Sequence, residues 1–248
     1  MYRFYHPQLA SLLSAAAPIL SEPGLSAPTV ELTKDESHHA FKVLRLSPGQ
    51  TIGLFDGAGT TATANIVNLA SRVNVHITSA QSHPVPAKRL TIASAIPKGP
   101  RADALVDQLS QIGCDELIPL RTARSIVDPR DAKLERFQRG CIESAKQCGR
   151  AHLMTIVPSM SLHELLRSSE HDLKLIGLTE TTSVLARELV ASARHILILI
   201  GPEGGWLDEE IHDAKEAGCI AWCFGPHVMR IETAAVAAAA LVRYLATK

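Results

Sequence analysis

From His195 the chain reads HILILIGPEGGWLDEEI, and the unbroken aliphatic run at residues 196–200 restricts the fold more than any other stretch. A half-exposed strand alternates apolar and polar residues. A strand without a polar side has to be covered on both faces, as in the parallel sheets of α/β proteins. The run ends in Gly201-Pro202-Glu203-Gly204-Gly205 and passes at once into an acidic segment with Asp208, Glu209 and Glu210. One turn residue is enough to end a strand. Two adjacent glycines behind a proline and a carboxylate suit a backbone that lies against a ligand.

The rest of the chain has two rhythms. Residues 50–57, 61–70 and 72–80 alternate apolar and polar side chains between Asp-Gly-Ala-Gly and Ala-Ser breaks, which predicts a small antiparallel sheet or barrel. Residues 82–88 carry two prolines and form a linker. Beyond it, strands at 90–96, 116–120, 173–179, 195–201 and 219–225 alternate with helices at 101–113, 131–148 and 232–246. Strands alternating with helices imply a parallel sheet covered on both faces, and the unaided expectation is an ordinary doubly wound α/β unit. The predicted layout is a β domain at 1–82 and an α/β domain at 83–248, which 248 residues with 46% apolar content can support.

Several classes fall away on composition. No apolar run reaches membrane-spanning length, and the first residues lack a signal-peptide core, so a cytoplasmic protein is expected. Five cysteines without a Cys-x2-Cys spacing argue against a disulfide framework or zinc site. Cys219 and Cys223 flank a strand and read as buried small hydrophobes. Net charge is zero but unevenly spread: 17 Lys/Arg against 13 Asp/Glu in residues 1–150, and 8 against 12 in residues 151–248. Such a dipolar chain can offer one basic face to phosphates.

Open α/β sheets bind ligands at the carboxyl ends of their strands. Three glycine-containing loops fall there: 177–180, 201–205 and 225–230. Phosphate is the first candidate ligand, but Glu203 within the loop and Asp208, Glu209 and Glu210 beyond it would repel a pyrophosphate. Those acids suit the positive end of a helix, with Asp208 as N-cap. No P-loop or Gly-x-Gly-x-x-Gly fingerprint follows a strand. The residues lead to an uncharged or cationic adenosine-like ligand held by main chain, with a plain strand-to-helix turn as the alternative.

The motif LIGPEGGW followed by MRIETA at 229–234 resembles the paired signature of SPOUT-class RNA methyltransferases. More narrowly, the chain is similar to the 16S ribosomal RNA uridine-N3 methyltransferase family of RsmE type. RFY at 3–5, HHAFKVLRLSPGQTIGLFDGAG at 38–59, AIPKGPRAD at 95–103 and ESAKQCGR at 143–150 match in order and spacing. That resemblance implies an N-terminal PUA-like β-barrel and a C-terminal SPOUT α/β domain with a parallel sheet and a trefoil knot. It further implies a homodimer, S-adenosyl-L-methionine as methyl donor, no metal, and 16S ribosomal RNA of the small subunit as partner. The sequence departs from the pattern at Trp206-Leu207, where Phe-Ser or Phe-Thr is usual, and at His227, where arginine is usual. It also departs at 110–114, SQIGC in place of Thr-Glu-Leu-Gly-Val.

Carried onto this chain, the resemblance assigns the cofactor site to Leu178, Thr179, Ile200, Gly201, Pro202, Glu203, Gly204 and Gly205. It adds Phe224, Gly225, Val228, Met229, Ile231 and Thr233 from the last loop and helix start. Arg230 is the catalytic residue of this set, a cation that steadies the target base or its phosphate, with a salt bridge to Glu232 as the alternative. RNA contacts fall to Arg3, His39, Arg45, Lys98, Arg101 and Arg150, where the alternative is a packing or solvated role. Arg121, Arg124 and Gln147 form a looser basic set with Arg150. The 234–242 stretch of small residues reads as close helix packing within the chain or across a dimer. Two rival functions remain at this point: a nucleotide-dependent enzyme and a non-catalytic RNA-binding module.

Overall fold

The computed structural model describes residues 1–20, 28–69, 72–129, 131–181 and 185–246, and in it the chain divides into two compact units. The first comprises Met1–Val85 together with Ala145–Leu153; the second comprises Pro86–Ser144 and Met154–Lys248.

The first unit holds β1 (Arg3–Tyr5), α1 (Leu9–Leu20), β2 (Thr29–Glu31), α2 (Lys34–His38), β3 (Thr51–Phe55), β4 (Thr60–Leu69) and β5 (Val73–Ser82). Its five-stranded sheet runs β1-β3-β4-β5-β2. The alternating stretches form β3, β4 and β5, paired antiparallel. Ala70, read as the end of β4, lies outside the described residues. The sheet is not antiparallel throughout, because β1 joins β3 in parallel register, Arg3 opposite Gly53 and Tyr5 opposite Phe55. His6 at the end of β1 has its Nε2 3.1 Å from the Glu31 carbonyl on β2, so a side chain links the two edge strands of this PUA-like half-barrel. Alternate residues Ile52, Leu54, Ala62, Ala64, Val73 and Val75 point into one core with Phe4 and Leu9.

The Asp56-Gly57-Ala58-Gly59 break is more than a hairpin turn. The Asp56 carboxylate accepts from the Ala58 and Thr60 amides at 2.8 and 2.9 Å, and Ala58 bridges to His152. Arg3 supports the same return segment: its guanidinium donates to the Ala145 and Arg150 carbonyls at 2.8 and 2.9 Å and lies 4.6 Å from the Phe55 ring centre. Glu36 and Lys146, both nearly buried, pair at 2.5 Å.

The second unit continues with β6 (Arg89–Ser94), α3 (Pro100–Ile112), β7 (Glu116–Arg121), α4 (Asp131–Cys148, its last turn in the first unit), β8 (Thr155–Ile156), β9 (Met160–Ser161) and α5 (Leu162–Ser168). It ends with β10 (Leu173–Gly177), α6 (Arg187–Ser192), β11 (His195–Ile200), α7 (Asp208–Glu216), β12 (Ile220–Trp222) and α8 (Ile231–Ala246). The main sheet is β12-β10-β11-β6-β7-β8 with β9 beside β7, and every pairing is parallel.

β11 explains its own composition. Ile196, Ile198 and Ile200 enter one core with α3, α4 and α8, whereas Leu197 and Leu199 enter a second core with α5 and α7. Both faces of the strand are covered, and each buried aliphatic side chain contributes roughly 1.5–3 kcal/mol. The alanines of α8 serve the same packing: Ala235, Ala238 and Ala239 are buried and let α8 lie close against α3.

At the amino end of β10, His171 sits half-buried with its Nδ1 2.9 Å from the Ser169 hydroxyl. Burial, and then the neighbouring His195 and Lys174, hold its pKa below the ordinary 6.5, with Asp172 opposing. The folded chain therefore resists a proton that the unfolded chain accepts, so this group's contribution to stability is full above pH 6.5 and is lost as pH falls below it. The melting midpoint is expected to hold down to about pH 6.5 and to drop as the pH falls further, and His171→Gln to flatten that drop in calorimetric scans. An unchanged slope in the variant would assign the pH dependence to other groups.

Candidate active site

The carboxyl ends of β10, β11 and β12 open onto one hollow of about 680 Å³ in the second unit. Three loops form it. The first follows β10 and supplies Gly177, Leu178, Thr179 and Glu180; the second follows β11 and supplies residues 200–206; the third follows β12 and supplies Cys223, Phe224, Gly225, His227, Val228 and Met229. Ile231 and Ala234 of α8 and Asp208, Ile211 and Lys215 of α7 complete the lining. All the residues named from sequence for the cofactor line this hollow except Thr233, which is exposed on the first turn of α8.

The second loop is a tight turn in which the Gly205 amide donates to the Pro202 carbonyl at 2.9 Å, with Gly205 left-handed at φ 73°. Gly201 is needed for a different reason. A Cβ there would stand 2.8 Å from Cε2 and 2.9 Å from Nε1 of Trp206. The indole fills that space because its Nε1 donates to the Gly177 carbonyl at 3.1 Å, tying the first loop to the second. Trp206, noted in the sequence only as a departure from a pattern, is thus a wall of the hollow.

The helix start differs from expectation. The N-cap of α7 is Leu207, not Asp208, which is the first helical residue. Leucine offers no acceptor; the Glu210 carboxylate instead accepts from the Leu207 amide at 2.9 Å. Cys223, read as a buried hydrophobe, is only partly buried and lines the hollow, with its Sγ 3.2 Å from the Gly225 carbonyl. Cys219 is buried as expected, and burial pushes its thiol up to about 11.

Arg230 is exposed between Met229 and Ile231, two residues that line the hollow, although it does not line it itself. Glu232 is paired not with Arg230 but with Arg101, 3.9 Å away, and Arg101 also lies 3.7 Å from Glu203. Lys98 is exposed on the loop entering α3. In the first unit, Arg45 is exposed and left-handed at φ 51°, just after a π-helical stretch at His39–Val43. His39 packs edge-on against Phe4, and Arg150 turns inward to the His152 carbonyl at 3.0 Å. Arg3 is likewise committed to carbonyls, as described above.

A parallel α/β sheet with a glycine-looped hollow at its carboxyl edge follows a small β unit in this chain, and that edge is where open α/β sheets bind their ligands. Residues 83–243 match the family model described as an RNA methyltransferase domain, and residues 32–77 match an RNA methyltransferase PUA domain. The chain belongs to the RNA methyltransferase family. It is 28% identical over 225 residues to ribosomal RNA small subunit methyltransferase E of Synechocystis sp., covering 88% of this chain and 73% of the relative. The protein of that name from Bacillus subtilis is 27% identical over 234 residues, covering 88% and 91%. Ribosomal RNA small subunit methyltransferase E from Neisseria gonorrhoeae, solved bound to S-adenosyl methionine, superposes with TM-score 0.84 at 30% identity, covering 99% of this chain and 98% of that one.

Among the described residues no helix is long and apolar enough to cross a membrane.

Proposed function

We propose that the hollow binds S-adenosylmethionine and that the protein methylates N3 of a uridine in 16S ribosomal RNA, working in the cytoplasm as a homodimer. One observation carries this reading: three loops present main chain to a single hollow whose acidic lining residues are Glu180, Glu203 and Asp208, against one lysine, Lys215, and no arginine. Such a lining favours a cationic ligand over a polyphosphate. Leu178, Ile200, Phe224, Val228, Met229 and Ile231 provide the apolar surface an adenosyl group requires. The donor, when bound, supplies an electrophilic methyl group on a sulfonium. The similar Neisseria enzyme, solved with that donor, supports the assignment. The trefoil knot implied by the resemblance belongs to the same reading.

The chain's own part is to present the base and stabilise its charge. Uracil N3 carries a proton at neutral pH, and methylation requires negative charge to develop on the ring. Arg230, exposed beside the third loop, is the cation assigned in this reading to that charge or to the adjoining phosphate. The target nucleotide must be unpaired or extruded, since N3 is engaged in Watson–Crick pairing. Arg45 and Lys98 are exposed and are assigned to the RNA backbone; Arg3, Arg101 and Arg150 carry the hydrogen bonds and ion pairs described above, and His39 packs on Phe4.

Incubation with labelled S-adenosylmethionine and unmethylated small ribosomal subunits, followed by mapping of the modified base, tests the proposal. Label on uridine N3 is expected, together with a dimer mass by light scattering. Tight NAD or ATP binding without donor binding would move the protein to the nucleotide-enzyme class, and RNA affinity without methyl transfer to the binding-module class.

A further inference from the structure

Arg124 belongs to the basic set that the proposed function leaves without a task. It is exposed, yet its Nη1 donates to the Gly204 carbonyl at 2.7 Å and approaches the Trp206 carbonyl at 3.5 Å. Its stem covers the same spot: a Cβ on Gly204 would lie 3.2 Å from both Cβ and Cδ of Arg124. Arg124 does not line the hollow, whereas Gly204, Gly205 and Trp206 do.

A second tie runs beside the first. One oxygen of Glu210 accepts from the Ala123 amide at 2.8 Å, and the other accepts from the Leu207 amide at 2.9 Å. The turn that carries Ala123 and Arg124 is itself stiffened. The Thr122 amide donates to the Ser125 hydroxyl at 3.0 Å, the Ser125 amide donates to the Thr122 carbonyl at 3.1 Å, and the Ser125 hydroxyl reaches the Leu120 carbonyl at 3.4 Å. Leu120 is in β7, so the turn is anchored in the central sheet.

We infer that the turn at 122–125 is a brace for the loop at 201–207, and that Arg124 is a positioning residue that keeps Gly204 and Trp206 in their donor-binding arrangement. The inference rests on the donor assignment made above. The physical basis is preorganisation: a loop already held in its bound shape loses less freedom on binding. A charge-assisted hydrogen bond to a carbonyl is the strong form of such a restraint. Without it, the two-glycine turn regains conformations that glycine allows and other residues do not.

The test uses the full chain as Arg124→Ala and Arg124→Lys. In the ligand-free protein, hydrogen exchange at the amides of residues 204–207 is expected to quicken in Arg124→Ala while the core of the sheet is unaffected. Calorimetric affinity for S-adenosylmethionine is expected to weaken about fivefold to tenfold, with partial recovery in Arg124→Lys, whose ammonium can still reach the Gly204 carbonyl. KM for the donor should rise more than kcat falls. Wild-type exchange and wild-type affinity in Arg124→Ala would overturn the brace. Faster exchange in that variant, combined with no donor binding by the wild-type chain, would sustain the brace and defeat the donor assignment.

Discussion

Gly201→Ala is expected to weaken S-adenosylmethionine binding by about a hundredfold while leaving the melting midpoint within a few degrees of the parent. The added methyl would sit 2.8–3.1 Å from three ring atoms of Trp206, closer than carbon atoms tolerate. The indole cannot simply turn away, because its Nε1 is bonded to the Gly177 carbonyl. Relief therefore requires the second loop to move, and the Gly177 end of the first loop to follow. Overpacking of this kind costs about 1–3 kcal/mol. The loop is partly exposed, so the strain is released by displacing the binding surface and not by unfolding the sheet. Gly204→Ala should be milder, since the atoms it meets belong to the flexible stem of Arg124 at 3.2 Å. Titration calorimetry with the donor orders the two variants. Affinity of Gly201→Ala within threefold of the parent would mean that the hollow is not where the donor binds.

Arg243→Ala is expected to destabilise the second unit by about 2–3 kcal/mol, because it removes charge-assisted hydrogen bonds to a mostly buried carboxylate while the arginine side chain itself is 23% exposed. Arg243 reaches from α8 to three places: the Lys88 carbonyl at 3.1 Å, the Gly113 carbonyl, and the Asp115 carboxylate at 2.5 Å. Gly113 is the left-handed stop of α3, at φ 93°, and Asp115 also accepts the Leu90 amide at 2.8 Å. One guanidinium thereby joins the last helix to the end of α3 and to the starts of β6 and β7. Truncation removes the Arg243 cation from beside Asp115, which is 8% exposed and keeps its bond from the Leu90 amide. A stability loss of that size corresponds to a midpoint roughly 4–12 °C lower for a unit of this length. Combining Arg243→Met with Asp115→Asn should recover part of it, because removing both charges avoids the stranded carboxylate. A midpoint for Arg243→Ala within about 2 °C of the parent would show that the pair carries little.

The two predictions concern features of opposite visibility. Gly201 stood out in the sequence, since a doubly covered strand that ends in two glycines and a proline implies close approach of backbone to something. Its actual neighbour, Trp206, lies only five positions away, yet its packing was not readable, because side-chain direction within a loop depends on the hydrogen bond to Gly177. Arg3 and Arg101 were read alike from the sequence, as RNA contacts with a packing or solvated role as the alternative. The fold separates them: Arg3 closes over carbonyls at 145 and 150, and Arg101 stands between Glu203 and Glu232.

Local periodicity determined β3 to β7, β10 to β12, α3, α4 and α8, since alternation and aliphatic runs report directly on which faces are covered. It also determined the three loops, because glycine and proline act through their own backbone. Only the tertiary structure decided that residues 145–153 join the first unit, that β1 lies parallel to β3, and that Glu210 and Arg124 tie the turn at 122–125 to the loop at 201–207. Those outcomes depend on partners some 50 to 150 positions away in the chain, and a hydrogen bond between distant residues leaves no periodic trace in either segment.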